Sequence, residues 1–323
     1  MNFLQGGFCE KSQKPRKQGL TQAVDKFQGL DREEFGALSD YVDTVKIRWG
    51  LPLLVDRDHL KGRIRFYHKQ GVRVSTGGTL CELMLRSGKF GPFVKAAAAV
   101  GFDIIELSDA TFPVKPERFG ELASEVKRAG LDFVAKAGRK DPTRQLSPEQ
   151  LQKTVDRGLS VGSPWVVIEA GEGFGAGIYR PDGAPNWELA DALESRFGRG
   201  RLLFEAPKES QQAALILHFG PEVNLGAVEL SQVASLESMR IGVRAGETFG
   251  MSPGPRNVRG SPAAKFIYHL VRTEGLSDQT RLCQLSGMPR RTVQKALEYL
   301  ERQGIVGSAP SLEDTRRKVY RAI

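Results

Sequence analysis

The sequence predicts an α/β protein: a (β/α)8 TIM barrel followed by a small winged helix-turn-helix domain. Three observations carry that expectation. Short apolar stretches ending on or near a polar residue recur eight times, roughly every 20 to 36 residues, over the first three quarters of the chain. The segments between them are rich in Ala, Leu, Glu and Lys at helical spacing. After Gly250 the composition turns to proline and glycine and then to a basic tail.

The first strand is expected over 20–25, ending on Asp25, behind a basic stretch at 10–16 that wraps the outside of the barrel. The next runs over 42–47 with Asp43 and Lys46, and a third over 72–75 leads into Thr76-Gly77-Gly78-Thr79. A fourth over 103–107 contains Glu106 and continues into Ser108-Asp109. Between Gly130 and Pro142 an apolar run followed by Lys136, Arg139 and Lys140 reads as a buried strand delivering cations to one end. Strands at 165–169, 202–205 and 223–225 complete the set. The segment 117–129 stops at Gly130, as a helix C-terminus does. An open doubly wound sheet is the alternative; eight strand–helix repeats in about 250 residues favour the barrel.

Residues 1–250 are therefore assigned to the barrel, 251–262 to a linker and 263–323 to the winged-helix domain. The linker holds Pro253, Pro255, Pro262, Gly254 and Gly260 and no apolar period. Helices are expected at 263–273, 279–285 and 289–303, with a tight turn at Ser286-Gly287-Met288 and a stop at Gly304. Residues 305–306 and 318–323 would then pair as a hairpin. The third helix opens with Arg290, Arg291 and Thr292, followed by Lys295, where a recognition helix meets base edges and phosphates. The charge distribution agrees. The chain has 47 basic and 38 acidic residues, a net +9, yet from Pro255 onward there are 13 basic against 6 acidic. DNA is the expected partner of that tail, with a helical dimerisation appendage as the alternative.

Composition also excludes classes. No stretch approaches the roughly 18 apolar residues of a membrane span, and the start lacks a secretory signal, so the expected location is the cytoplasm without membrane association. Cys9, Cys81 and Cys283 are few and far apart, and the four histidines do not cluster, which argues against a disulfide framework and a zinc site.

In a parallel barrel the C-terminal strand ends face one cavity, so distant residues converge there. Asp25, Lys46, Glu106, Lys140, Glu169, Glu172, Glu205, Asn224 and Arg244 are the candidates. Carboxylates among them suit one Mg²⁺, a hard ion that prefers oxygen ligands. Gly77 and Gly78, flanked by Thr79, free backbone N–H groups for a phosphate or carboxylate. The glycine-rich 171–177 loop reads as a mobile lid. Asn224, with Arg244 downstream, falls at the end of the final predicted strand, where barrels often bind phosphate.

These residues lie in motifs that resemble one family. Lys14-Pro15-Arg16, Val45-Lys46-Ile47-Arg48-Trp49-Gly50, Gly77-Gly78-Thr79-Leu80, Ile105-Glu106-Leu107-Ser108-Asp109, Glu205-Ala206-Pro207-Lys208 with Gln211-Gln212, Val223-Asn224-Leu225-Gly226 and 236–244 are together similar to the phosphosulfolactate synthases. The likeness runs in order from about residue 14 to 250 and leaves the tail uncovered. It implies a Mg²⁺-dependent barrel enzyme, expected as a homo-oligomer, that adds sulfite to phosphoenolpyruvate on the route to coenzyme M. By resemblance Lys140, at the place of the second lysine in the family's Gly-Lys-Lys run, is the proton donor, with Lys46 and Glu169 beside it in catalysis. Glu106, Glu169 and Glu205 surround the metal. Arg16, Gly77, Gly78, Thr79, Lys136, Arg139, Asn224 and Arg244 bind substrate. The chemistry is read as sulfite attack on C2, charge build-up on the carboxylate, and protonation of the methylene carbon.

The chain departs from the family pattern at several places. Lys136 stands where a glutamate is usual, Arg139 replaces the first lysine, Gly171 an arginine, Arg48 a glycine and Leu51 a small hydroxyl residue. One acid fewer and two more cations alter both metal affinity and anion preference. Two further readings follow: a metabolite-sensing DNA-binding regulator with a non-catalytic barrel, and a non-catalytic stress-tolerance relative of the kind found in plants.

Overall fold

The computed structural model describes residues 14–28, 31–244, 246, 248, 261–274, 277–303, 305–310 and 317–322. Most of the expected linker lies outside them. The chain divides into two compact units, Met1–Glu237 and Ser238–Ile323.

The first unit is a closed parallel barrel. Strands β1 (Thr21–Asp25), β2 (Thr44–Ile47), β3 (Arg73–Thr76), β4 (Ile104–Leu107), β5 (Asp132–Ala137), β6 (Val166–Ile168), β7 (Leu202–Glu205) and β8 (Leu225–Glu229) follow one another around it, and β8 pairs with β1. Side chains alternate along a strand, so every second residue points inward. Leu20, Ile104, Val134, Val167 and Leu203 form a buried apolar layer. Two residues further on in four of those strands stand Glu106, Lys136, Glu169 and Glu205. The same alternation that packs the barrel floor with hydrocarbon thus raises a charged layer above it. Gly226 leaves room for this packing, since a Cβ there would run into the Leu203 side chain.

Helices cover the outside. Pro148–Ser160 begins with a capping box, Ser147 accepting from the Gln150 amide while the Gln150 side chain accepts from Ser147 N–H. It buries Leu151, Val155 and Gly158. A Cβ at Gly158 would lie 2.6 Å from that of Ala135, so glycine permits close docking on β5. The helix Pro116–Arg128 buries Phe119, Leu122, Ala123 and Val126 and is followed by Gly130 at φ 79°, as expected.

Two sequence-predicted substrate residues sit at the other end of the barrel. The Asn224 side-chain oxygen accepts from Leu20 N–H at 2.9 Å, and its amide donates to the carbonyls of Leu202 (2.9 Å) and Arg199 (3.2 Å). Those groups lie at the N-terminal ends of β1 and β7. Arg16 forks onto Asp43, at 3.0 and 2.6 Å, and donates to the Tyr41 carbonyl; Asp43 in turn accepts from Thr21 N–H. Both residues tie the barrel floor together and neither reaches the mouth. Asn224→Ala is therefore expected to cost roughly 1–3 kcal/mol of stability by orphaning buried backbone groups. Chemical denaturation checks this, with KM and kcat per folded molecule unchanged.

The second unit holds helices Pro262–Glu274, Gln279–Ser286 and Arg290–Arg302 and strands β9 (Ser277–Asp278), β10 (Val306–Pro310) and β11 (Lys318–Ala322). The strands form an antiparallel sheet in the order β10–β11–β9. The predicted hairpin is present, Val306 opposite Ala322 and Pro310 opposite Lys318, while 311–316 at its tip lie outside the described residues. Ala264, Ile267, Val271, Leu282, Val293, Leu297 and Leu300 make its core. Among the described residues no helix is long and apolar enough to cross a membrane.

Candidate active site

Five buried charges meet where the C-terminal strand ends converge. Lys46 of β2 places its Nζ 2.6 Å from Glu205 Oε1 and 3.2 Å from Glu106 Oε2. Lys136 of β5 lies 2.9 Å from Glu205 Oε1, 2.9 Å from Glu169 Oε2 and 3.6 Å from Glu106 Oε1. Backbone amides take the other oxygens. Gly78 donates to Glu106 Oε1 at 3.0 Å, Gly171 to Glu169 Oε1 at 2.8 Å and Ala170 to Glu205 Oε2 at 3.2 Å. Two cations thus face three acids in a dry site, where isolated charges would be prohibitively costly.

The cluster shifts its own members. Burial pushes the Glu205 carboxyl up, but the Lys136 and Lys46 ammonium groups outweigh it and hold it well below the usual carboxylate range. Burial likewise works against Glu106, and the same two lysines bring it down. Glu169 goes the other way: burial dominates and leaves it above its ordinary value despite Lys136. Burial disfavours charged Lys136, yet Glu169, Glu205 and Glu106 together raise it well above an ordinary lysine.

A rim surrounds this layer. Lys140, its side chain 30% exposed, donates to Thr79 Oγ1 at 2.5 Å and stands 4.0 Å from Glu82. Arg139 donates to the Asp109 carbonyl at 3.0 Å. Arg48 pairs with Glu172 at 3.3 Å and faces Glu229, which Lys26 meets at 2.6 Å. Trp49, between Lys26 and Arg48, takes a φ of 56°, a backbone state uncommon outside glycine and concentrated at functional sites.

Residues 9–246 match the family profile described as (2R)-phospho-3-sulfolactate synthase (ComA). The chain belongs to the phosphosulfolactate synthase family. A phosphosulfolactate synthase of Methanocaldococcus jannaschii is 34% identical over 241 residues, covering 72% of this chain and 95% of the relative. That of Methanothermobacter thermautotrophicus is 34% identical over 245 residues, covering 74% and 95%. That of Bacillus subtilis is 30% identical over 247 residues, again 74% and 95%. The match to the family profile ends at residue 246, ahead of the helices Pro262–Glu274, Gln279–Ser286 and Arg290–Arg302.

As a member of the phosphosulfolactate synthase family the chain is a lyase of that type, and its sequence-predicted residues divide into three groups. The structure gathers Lys46, Glu106, Lys136, Glu169 and Glu205 in one layer, with Thr79, Arg139 and Lys140 on its rim. Gly77 and Gly78 start the helix Gly78–Arg86, but the Gly78 amide is engaged by Glu106. A Cβ on Gly78 would sit 2.7 Å from that of Ser108, so glycine is needed to bring that amide to the carboxylate. Asn224 and Arg16 belong to the floor, and Arg244 falls in the second compact unit.

Asp25, another strand-end candidate, is fully engaged: Arg63 forks onto it at 2.6 and 2.8 Å and the Tyr67 hydroxyl donates at 2.6 Å. The 171–177 loop, expected as a lid, is fastened by Gln145 accepting from Gly177 N–H and by Gln211 donating to the Gly173 carbonyl. Sequence reasoning missed Glu82. Buried on a helix, it accepts from Ser108 Oγ, Ala110 N–H and Thr111 N–H and so shapes the loop after β4. An acid on a helix face carries no local signal of such a role.

The expected Mg²⁺ does not suit this donor set. All six oxygens of Glu106, Glu169 and Glu205 already face an ammonium or amide nitrogen. Among the described residues no group of three or more His, Cys, Asp or Glu is arranged to hold a metal ion.

Proposed function

We propose that this chain is a phosphosulfolactate synthase that joins sulfite to phosphoenolpyruvate. The observation that carries the proposal is the convergence of Lys46 and Lys136 beneath Lys140, in a barrel whose relatives are named for that product. Both substrates are anions, and cations on several strands suit them. The name 2-phospho-3-sulfolactate corrects the regiochemistry read from the resemblance, because it puts sulfur on C3 and the phosphorylated oxygen on C2.

The sulfite lone pair therefore forms the bond to the methylene carbon, C3. The π electrons of C2=C3 move towards C2 and into the carboxylate, giving an aci-carboxylate. Lys136 and Lys46 stabilise that developing charge by position and in a dry surrounding. The Lys140 ammonium, oriented by Thr79, delivers a proton to C2 and recovers one from solvent. Incubating the full-length protein with phosphoenolpyruvate and sulfite tests this by mass spectrometry. A product heavier than phosphoenolpyruvate by one sulfurous acid is expected, and unconsumed phosphoenolpyruvate would count against the assignment.

A second reading concerns the C-terminal unit. Arg291, Thr292, Lys295 and Arg302 line one groove of about 900 Å³, while Val293, Leu297 and Leu300 of the same helix are buried. Exposed cations on a helix after a tight turn support a winged helix-turn-helix domain that binds DNA through Arg290, Arg291, Thr292 and Lys295. Duplex binding that weakens steeply with salt, and that Arg290→Ala with Arg291→Ala reduces at least tenfold, is the expected result. Salt-insensitive or unaltered binding would remove this reading.

A further inference from the structure

We infer that the Lys136 ammonium group occupies the place a divalent cation would take among Glu106, Glu169 and Glu205, so that the barrel mouth binds no Mg²⁺ and works with ammonium groups instead. Its first clause stands on geometry alone; the second rests on the proposed reaction. Mg²⁺ holds oxygens at about 2.0–2.1 Å in near-octahedral order and gives up its waters reluctantly. Here the carboxylates are arranged around nitrogen. Lys136 Nζ has Glu169 and Glu205 oxygens at 2.9 Å each and a Glu106 oxygen at 3.6 Å, distances that suit an ammonium ion. Lys46 closes the far side, sharing Glu205 Oε1 with Lys136 and holding Glu106 Oε2.

The remaining oxygens are fixed by backbone. The amides of Gly78, Gly171 and Ala170 hold one oxygen of each carboxylate, and these amides belong to the turns that follow β3 and β6. A metal would have to displace Lys136 and find its ligands among oxygens pinned from behind. Displacement has little room, since Lys136, next to last in β5, has a side chain only 6% exposed. The charge balance points the same way. Two ammonium groups against three carboxylates leave a deficit of one positive charge, and a divalent ion added to the intact cluster would reverse it. What the site gives up is Lewis acidity; what it keeps is fixed positive charge beside the reacting carboxylate.

Binding of Mn²⁺, used as the probe for Mg²⁺, tests this without reference to turnover. The full-length protein in excess over Mn²⁺ is titrated and the free-ion signal followed by electron paramagnetic resonance, with and without phosphoenolpyruvate and against phosphoenolpyruvate alone. The wild-type protein is expected to leave the signal undiminished. Lys136→Glu, which adds a carboxylate at the centre, is expected to remove it saturably and to gain melting temperature from Mn²⁺. Lys136→Met serves the same purpose if the glutamate variant does not fold. Saturable Mn²⁺ binding by the wild type overturns the inference, and so do folded variants that bind no better than wild type. A wild type that is silent towards Mn²⁺ yet forms no product counts against the proposed reaction and leaves the site assignment standing.

Discussion

Lys136→Met is expected to destabilise the barrel by about 3–5 kcal/mol, a fall in melting temperature on the order of 10 °C, because it strands buried carboxylates without their central cation. The group is buried and touches three acids, so solvent cannot take over its role. A second substitution distinguishes this cause from lost packing. Adding Glu169→Gln to Lys136→Met removes one stranded charge and should restore part of the stability. If the double variant is no more stable than the single one, the loss lies elsewhere.

The same variant shifts a pH dependence. In the wild type, Glu205 and Glu106 are held below their ordinary values, so their contribution is present above the normal carboxylate range and is lost as pH falls through the depressed values. Lys136 is raised, so its contribution is fully present below the ordinary lysine value and lost only in strong alkali. Without Lys136 the buried carboxylates are pushed up instead and oppose folding wherever they are ionised. Glu169, already raised in the wild type, works there against Glu205 and Glu106, so Lys136→Met should gain more stability between about pH 7 and about pH 5 than the wild type does. Denaturant midpoints at the two pH values read this directly.

Lys140→Ala is expected to lower kcat by roughly 10²–10⁴, the usual worth of a positioned general acid, while the fold is kept. Lys140 is part-exposed and leans on Thr79, and its removal strands no buried carboxylate of the central cluster. Thr79→Val, which removes the hydroxyl that orients it, should produce a smaller loss in kcat with KM little changed. Circular dichroism should superimpose for all three proteins. An alanine variant with full turnover would show that the proton comes from another group.

Much of this site could be read from alternation. Ile104 and Glu106, Val134 and Lys136, Val167 and Glu169, and Leu203 and Glu205 each pair an apolar residue with a charged one two positions later, which is how a parallel barrel stacks its interior. That pattern is local, so the sequence reveals it. Asn224 shows where the reading breaks down. A strand placed at 223–225 puts it at the C-terminal tip, whereas the observed strand is Leu225–Glu229, and a shift of two residues moves Asn224 to the opposite end of the barrel. Strand boundaries are set by neighbours in the sheet, which a single strand's composition does not encode.

Arg16 fails for a related reason, since an arginine ahead of the first strand gives no hint that Asp43 is its partner. The metal expectation came from counting acids. In the structure lysines stand among those acids, and the contacts between them connect residues up to 159 positions apart.

The proposed reaction forms the carbon–sulfur bond at this mouth and protonates C2. Running the wild-type protein with phosphoenolpyruvate and sulfite in D₂O and following it by proton and phosphorus NMR tests that claim most directly. A sulfonated product with deuterium at C2 and two protons retained at C3 is expected. Deuterium at C3, or phosphoenolpyruvate that persists unchanged, would contradict it.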